Sequence, residues 1–226
     1  MKAWYLDQVN FPEAVQPGES SQVKKTSATK ASYHHGDLRS ALITAAVTLI
    51  EEKGPNGITL RAVAERAGVT KTAPYRHFSN KQAMIDAVVE EGFGELKARL
   101  IAVVDRADEP LARIKQQVIS YAKFAVQRPG HYRVMFLSDP PAKADAASAP
   151  SAFQSLVDMM VDTIEEAQRA GLIKNEPALE IALSLWSLVH GLSTAVASKR
   201  LEQFDDSALE SIVAKVTDHL IYGIGR

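Results

Sequence analysis

Lys71, Thr72, Tyr75, Arg76 and His77 fall within seven residues and bring together an ammonium, a hydroxyl, a phenol, a guanidinium and an imidazole. All five donate hydrogen bonds, a density that suits an anionic partner rich in oxygen. Phosphate oxygens accept from each of these groups, and Lys or Arg also reads the acceptor edge of guanine in a major groove. Thr59, Arg61 and Thr70 lie just upstream with two more hydroxyls and a second guanidinium, and Lys81 follows a few residues on. The charge along the chain agrees. Residues 21–81 hold ten Lys/Arg against four Asp/Glu, a local excess of six, in a chain whose net charge is −1. A basic segment inside a near-neutral chain is the electrostatic footprint of local nucleic-acid contact rather than of wholesale affinity.

Other chemistries find little support. The chain has no cysteine, which removes disulfides, thiolate metal sites and a cysteine nucleophile and fits a reducing compartment. His34 and His35 are adjacent and the other four histidines are scattered, without metal-ligand spacing. No Gly-rich phosphate loop, Gly-x-Ser-x-Gly elbow or compelling carboxylate pair appears, so no catalytic activity, metal or cofactor is expected. Met1–Asn10 lacks the apolar core of a signal peptide. The longest apolar run, Ile181–Ala197, is broken by Ser184, Ser187, His190 and Ser193, so no membrane span is expected and the chain is assigned to the cytoplasm.

The donor cluster needs elements to aim it. Thr59 is a good N-cap for a helix with apolar positions Leu60, Val63, Ala64 and Ala67 at three- and four-residue spacing. Gly68 can take the positive φ that stops a helix, and Thr70 caps a second one almost at once. Residues 59–78 therefore read as a helix-turn-helix whose second helix presents Lys71 and its neighbours to a major groove. Thr59 aims a helix N-terminus at a phosphate, Lys71 and Thr72 suit base edges, and Arg61 suits either. The alternatives are structural: Tyr75 as a cover for the small core, His77 as a half-buried histidine, Lys71 and Lys81 as solvated lysines. Pro74 falls inside the second helix, where it loses an early backbone bond and alters how Lys71 and Thr72 are presented.

The rest of the chain reads as helices. Residues 1–32 have no apolar periodicity and are expected to form a flexible arm, with Lys24, Lys25 and Lys30 available to phosphates, although Trp4, Tyr5, Leu6, Val9 and Phe11 are apolar for a tail. Leu38, Ala41, Leu42, Ala45, Ala46, Leu49 and Ile50 form one helical stripe that ends at Gly54-Pro55-Asn56-Gly57. Ser79-Asn80-Lys81-Gln82 has the form of a capping box and opens a long helix to about Val104, with Gly92 and Gly94 marking a bend or close contact. A helix opening at Pro110 runs to Arg128-Pro129-Gly130 and is followed by a short element, His131–Leu137. Ser138–Pro150 reads as a mobile connector, with helix resuming at about Ser151. The helix after Pro177 is apolar almost all round and needs core or a second subunit on every side; a last helix starts near Asp206 or Ser207. With no strand pattern, the fold class is all-α: a three-helix DNA-binding domain over 33–80 followed by a larger helical domain over 81–226.

From Tyr33 to Phe93, and as far as about residue 96, the chain resembles the TetR family of ligand-responsive transcription regulators. The resemblance rests on Gly36, Gly54 and Gly57, Ile58-Thr59-Leu60-Arg61, Val63-Ala64, Ala67-Gly68-Val69 and, most specifically, Tyr75-Arg76-His77-Phe78-Ser79-Asn80-Lys81. It implies phosphate contacts at Tyr75, His77 and Lys81 and binding of a palindromic double-stranded operator by a homodimer, with repression relieved by a small molecule. Trp186-Ser187-Leu188-Val189-His190-Gly191 resembles a Trp-x-x-x-His-Gly signature of one C-terminal subgroup. The family resemblance also implies that residues 81–226 form a ligand-binding and dimerisation domain; the expected pocket draws on Phe93, Tyr121, Phe124, Tyr132, Phe136, Met160, Trp186 and His190, and the expected dimer interface on Gly191, Ile212 and Val216. A regulator controlled by a protein partner is the alternative.

Overall fold

The computed structural model describes residues 35–137, 149–198, 200–201 and 206–223. The expected arm over 1–32 and most of the expected connector, 138–148, lie outside them. Among the described residues there are eight α-helices and no strand: α1 His35–Lys53, α2 Leu60–Arg66, α3 Lys81–Val104, α4 Pro110–Gln127, α5 Pro129–Tyr132, α6 Ala149–Arg169, α7 Ala178–Ala197 and α8 Asp206–Tyr222. The all-α expectation holds, and α6 begins two residues before the position that periodicity suggests.

Two apolar cores share one helix. The first collects Leu42, Ile43, Leu49 and Ile50 from α1, Leu60 and Val63 from α2, Phe78, and Met84, Ala87 and Val88 from the start of α3. The second takes over at Phe93, Leu96 and Leu100, further along α3, and continues into α4, α6, α7 and α8. A helix of 24 residues spans about 36 Å at 1.5 Å per residue, so α3 is a rod long enough to serve both. Its N-cap is Asn80 rather than Ser79. Asn80 is extended (φ −160°, ψ 179°) and its Oδ1 accepts from the Ala83 N–H at 2.9 Å, so the box places Ala83, which cannot reach back, where Gln82 was expected; Gln82 bonds Asp86 instead.

Gly92 supplies the close contact expected in the middle of α3. A Cβ there would stand 2.5 Å from Met135 Sδ and 3.3 Å from His131 Cβ, whereas at Gly94 it would meet nothing within 4 Å. The partner is the short element after α4, where α5 runs into a π-helical turn over Arg133–Leu137. The centre of the second core is α4, which packs against α3, α6, α7 and α8 and buries Ile114, Gln117, Val118, Ile119, Tyr121, Ala122, Phe124 and Ala125. α7 packs on α4, α6 and α8 yet leaves Leu179 and Leu183 exposed, so within one chain it is not covered on every side.

Candidate functional site

The first half of the helix-turn-helix forms as its residues dictate. Thr59 (φ −137°, ψ 154°) caps α2 by accepting from the Ala62 N–H at 3.1 Å, and its own hydroxyl proton stays available. Gly68 has φ +69°, and two bonds close the helix end: Gly68 N–H to Glu65 O and Val69 N–H to Ala64 O. That paired closure is a Schellman motif, which requires the left-handed residue glycine supplies. The second half is shorter than periodicity predicts. Ala73 N–H bonds Thr70 O, and only Pro74–Arg76 forms a helical turn, of 3₁₀ type, before Phe78. Pro74 has no N–H to offer Thr70 O, so the i→i−4 ladder cannot start there, and its buried ring packs inward.

Short as it is, this segment presents the expected donors. Thr59, Arg61, Thr70, Lys71, Thr72, Tyr75 and Arg76 are exposed, Tyr75 at 60%, which is unusual for a phenol with a core beside it. His77 is half-buried, its ring 6.3 Å from that of Phe78. Lys81 is half-buried as well and donates to Asn56 O at 3.0 Å, tying the loop before α2 to the start of α3. Arg66 is occupied elsewhere: it forks onto Glu52 at 2.6 and 2.8 Å, and that bond holds the Glu52 carboxyl below its ordinary range.

A second constellation lies in the other core. A cavity of about 50 Å³ is walled by α3, α4, α6 and α7 through Leu100, Gln117, Val118, Leu156, Met160 and Trp186 among others. Of the residues expected to form a pocket, Tyr121, Met160 and Trp186 line it. Tyr132, Phe136, His190 and Phe93 form an adjoining cluster instead. Tyr121 and Tyr132 direct their hydroxyls at His190 Nδ1 (2.9 and 3.1 Å), Tyr132 also lies 3.1 Å from Thr194 Oγ1, and Phe136 packs on Phe93, Tyr121, Tyr132 and His190. Trp186 stacks on His190 at 4.8 Å, joining cluster to cavity. Phe124 is fully buried away from both, under the Arg99 guanidinium. Burial first, and Tyr132 second, push the Tyr121 phenol far above its usual range; burial raises Tyr132 and lowers His190, so all three groups stay neutral.

Gln117 is the polar lining residue that the sequence expectation missed, beside apolar ones such as Leu100, Phe153 and Leu156. It sits three residues after Ile114 and four before Tyr121, on the buried stripe of α4, and a polar side chain on an apolar stripe is the signal that marks it. Of the expected interface residues, Gly191 is exposed and Ile212 and Val216 are half-buried.

Comparison with known proteins places this geometry. A domain model described as "Bacterial regulatory proteins, tetR family" matches residues 42–88, over the first core and the helix-turn-helix, and one described as "Tetracyclin repressor-like, C-terminal domain" matches 114–220. The chain belongs to the TetR family. Among its relatives, the nucleoid occlusion factor SlmA of Marinomonas sp. (strain MWYL1) is 31% identical over 99 residues, 44% of this chain, and the match spans half that relative's length. A Rhodococcus sp. RHA1 protein of unknown function is 31% identical, with a TM-score of 0.73 over 87% of this chain and 100% of that one. The structure of AibR in complex with isovaleryl coenzyme A and operator DNA superposes with a TM-score of 0.65 at 16% identity, over 82% of this chain and 98% of that one, a likeness of fold.

Proposed function

We propose that this TetR-family regulator is a repressor that binds a palindromic operator as a homodimer and is released when a small molecule enters the cavity between α3, α4, α6 and α7. The observation that carries it is the shared rod: α3 ends one core beneath the exposed donors and helps to wall the cavity in the other. Tyr75, His77 and Lys81 take phosphates in this reading, Lys71 and Thr72 take base edges, and Thr59, Arg61, Thr70 and Arg76 complete the contact. That AibR was crystallised with both an acyl-coenzyme A and operator DNA supports a fold able to serve both partners.

Release is a population shift, and α5 with its π-turn is placed to convey it. Tyr132 faces His190 and Thr194 on α7, while Gly130 N–H bonds Glu51 and Arg133 bonds Ile50 O, both on α1. An effector that prefers one arrangement of α4 and α7 then biases α1 and α3. Reversing a 99:1 population requires roughly 5.5 kcal/mol of differential affinity, whatever the total affinity. The small cavity volume favours the second reading, control by a protein partner; its apolar walls favour the first.

The test is fluorescence anisotropy on an operator selected from random DNA. Tyr75→Ala is expected to weaken specific and nonspecific binding alike while leaving the salt slope nearly unchanged, because a neutral phenol releases no counterion, whereas Lys71→Ala is expected to cost about 1–3 kcal/mol at the selected site and to relax its sequence. Exposure at both positions keeps the stability change within about 0.5 kcal/mol. Unchanged affinity and selectivity in both variants, or an enriched site without a palindrome, would refute the assignment.

A further inference from the structure

The cavity carries one polar residue that is fully inside the protein. Gln117 is 1% exposed, and its side chain lines a space walled by apolar groups such as Leu100, Val118, Leu156 and Leu185 together with Tyr121 and Trp186, whose indole Nε1 is also buried without a hydrogen-bond partner among the described residues. Its amide orientation follows from its neighbours. Thr163 Oγ1 donates its single proton to Met159 O at 3.0 Å, so at its 2.9 Å contact with Gln117 it can only accept. The amide nitrogen therefore faces Thr163, and Oε1 is the free end. Among the described residues Oε1 has no hydrogen-bond partner. A buried acceptor left in that condition forfeits the bond it makes to water in the unfolded chain, a cost that an occupant with a donor removes.

We propose that the cavity selects small uncharged molecules with an apolar body and one hydrogen-bond donor, an alcohol or a phenol, and that Gln117 Oε1 reads that donor. This narrows the effector reading above and rests on it. The lining contains no charged residue, so a carboxylate or phosphate would be buried there without a cation to neutralise it, and that penalty excludes charged ligands from the cavity itself. The volume, about 50 Å³, is several times the minimum for one water and small for a ring. Met160, unbranched and half-buried, and Leu183, 43% exposed, are the walls able to yield to one.

Phenol and toluene test the idea, because they share a shape and differ by a hydroxyl in place of a methyl. Both are titrated by NMR into the ¹⁵N-labelled full chain, with shifts followed at Val118 and Val189, and affinities are corrected for each probe's partition between water and octanol. The wild type is expected to favour phenol about tenfold, and Gln117→Met to lose that preference while still binding toluene. Thr163→Val, which leaves the amide free to flip, is expected to reduce the preference part-way, and it carries the test if Gln117→Met fails to fold. The same phenol-to-toluene ratio in wild type and variants would show Oε1 satisfied by water and overturn the role of Gln117, leaving the effector cavity standing. Binding of neither probe to the wild type would overturn both.

Discussion

Two phenols converge on one imidazole nitrogen where α4, α5 and α7 meet, and one lone pair cannot accept from both. Tyr121, the closer at 2.9 Å, donates to His190 Nδ1, which leaves the Tyr132 proton for Thr194 Oγ1. This arrangement needs an unprotonated Nδ1, and burial already holds the imidazole below its usual range. The consequence for stability has a definite sign. Below the ordinary histidine value of about 6.5 the unfolded chain takes a proton that the folded chain resists, so stability falls as pH drops through that window. Melting temperature is therefore expected to decline between pH 7.5 and 5.5, and to decline less in His190→Asn; parallel profiles would place the titration elsewhere. His190 was legible because it stands one residue before a glycine on an apolar helix, a polar group with few ways to be satisfied. Gln117 was not, since hunting for aromatic and methionine side chains passes over an amide, although its buried fate follows from its register with Ile114 and Tyr121.

At the scale of elements, the least legible piece is the most connected one. α5 and the π-turn after it span nine residues, too few for periodicity to identify, and their shape comes from tertiary contacts with α1, α3 and α4. The helices, by contrast, were legible from their apolar stripes and end signals: Pro110 opening α4, and Gly68 closing α2 with the positive φ expected of it. Pro74 was legible as a disturbance, but whether it would kink or shorten the second helix depended on its ring being drawn into the core. Gly130 makes the role of α5 measurable. A Cβ there would lie 2.9 Å from Val47 Cγ1 and from Glu51 Cγ. Glu51 can swing away, but the β-branched Val47 is confined to essentially one rotamer on its helix. Gly130→Ala is expected to push α5 off α1 and to cost about 1–3 kcal/mol in urea denaturation. An unchanged midpoint would mean that the two helices slide freely, and α5 could not then convey a signal between the cores.

For the whole molecule, the question left by a single chain is what covers α7. By length and mean hydropathy, 1.4 over an eighteen-residue window, α7 matches a membrane span, yet only 22% of that window is buried. It is also pinned to α4, α6 and α8, and its exposed residues include Leu179 at 51%, Leu183 at 43%, Ser184, Ser187 and Gly191. From Leu183 to Gly191 that face is small or apolar and uncharged, the composition that lets two helices approach closely, and α8 beside it exposes Leu220 and Tyr222. A second copy of the same face is the cover we expect, because DNA reading by this family's motif calls for two recognition segments about 34–36 Å apart. Gly191→Leu separates this from any effect on the fold. Within its own chain a Cβ at Gly191 meets nothing within 4 Å, and leucine improves helix propensity by somewhat under about 1 kcal/mol, so the variant monomer should melt no lower than the wild-type protomer. Among the described residues nothing stands against that position, and a partner's helix is what we expect the new side chain to strike. Analytical ultracentrifugation is therefore expected to show monomers, with affinity for a full palindrome falling toward that for a half-site; a persistent dimer that still binds the palindrome would move the two-fold axis away from α7.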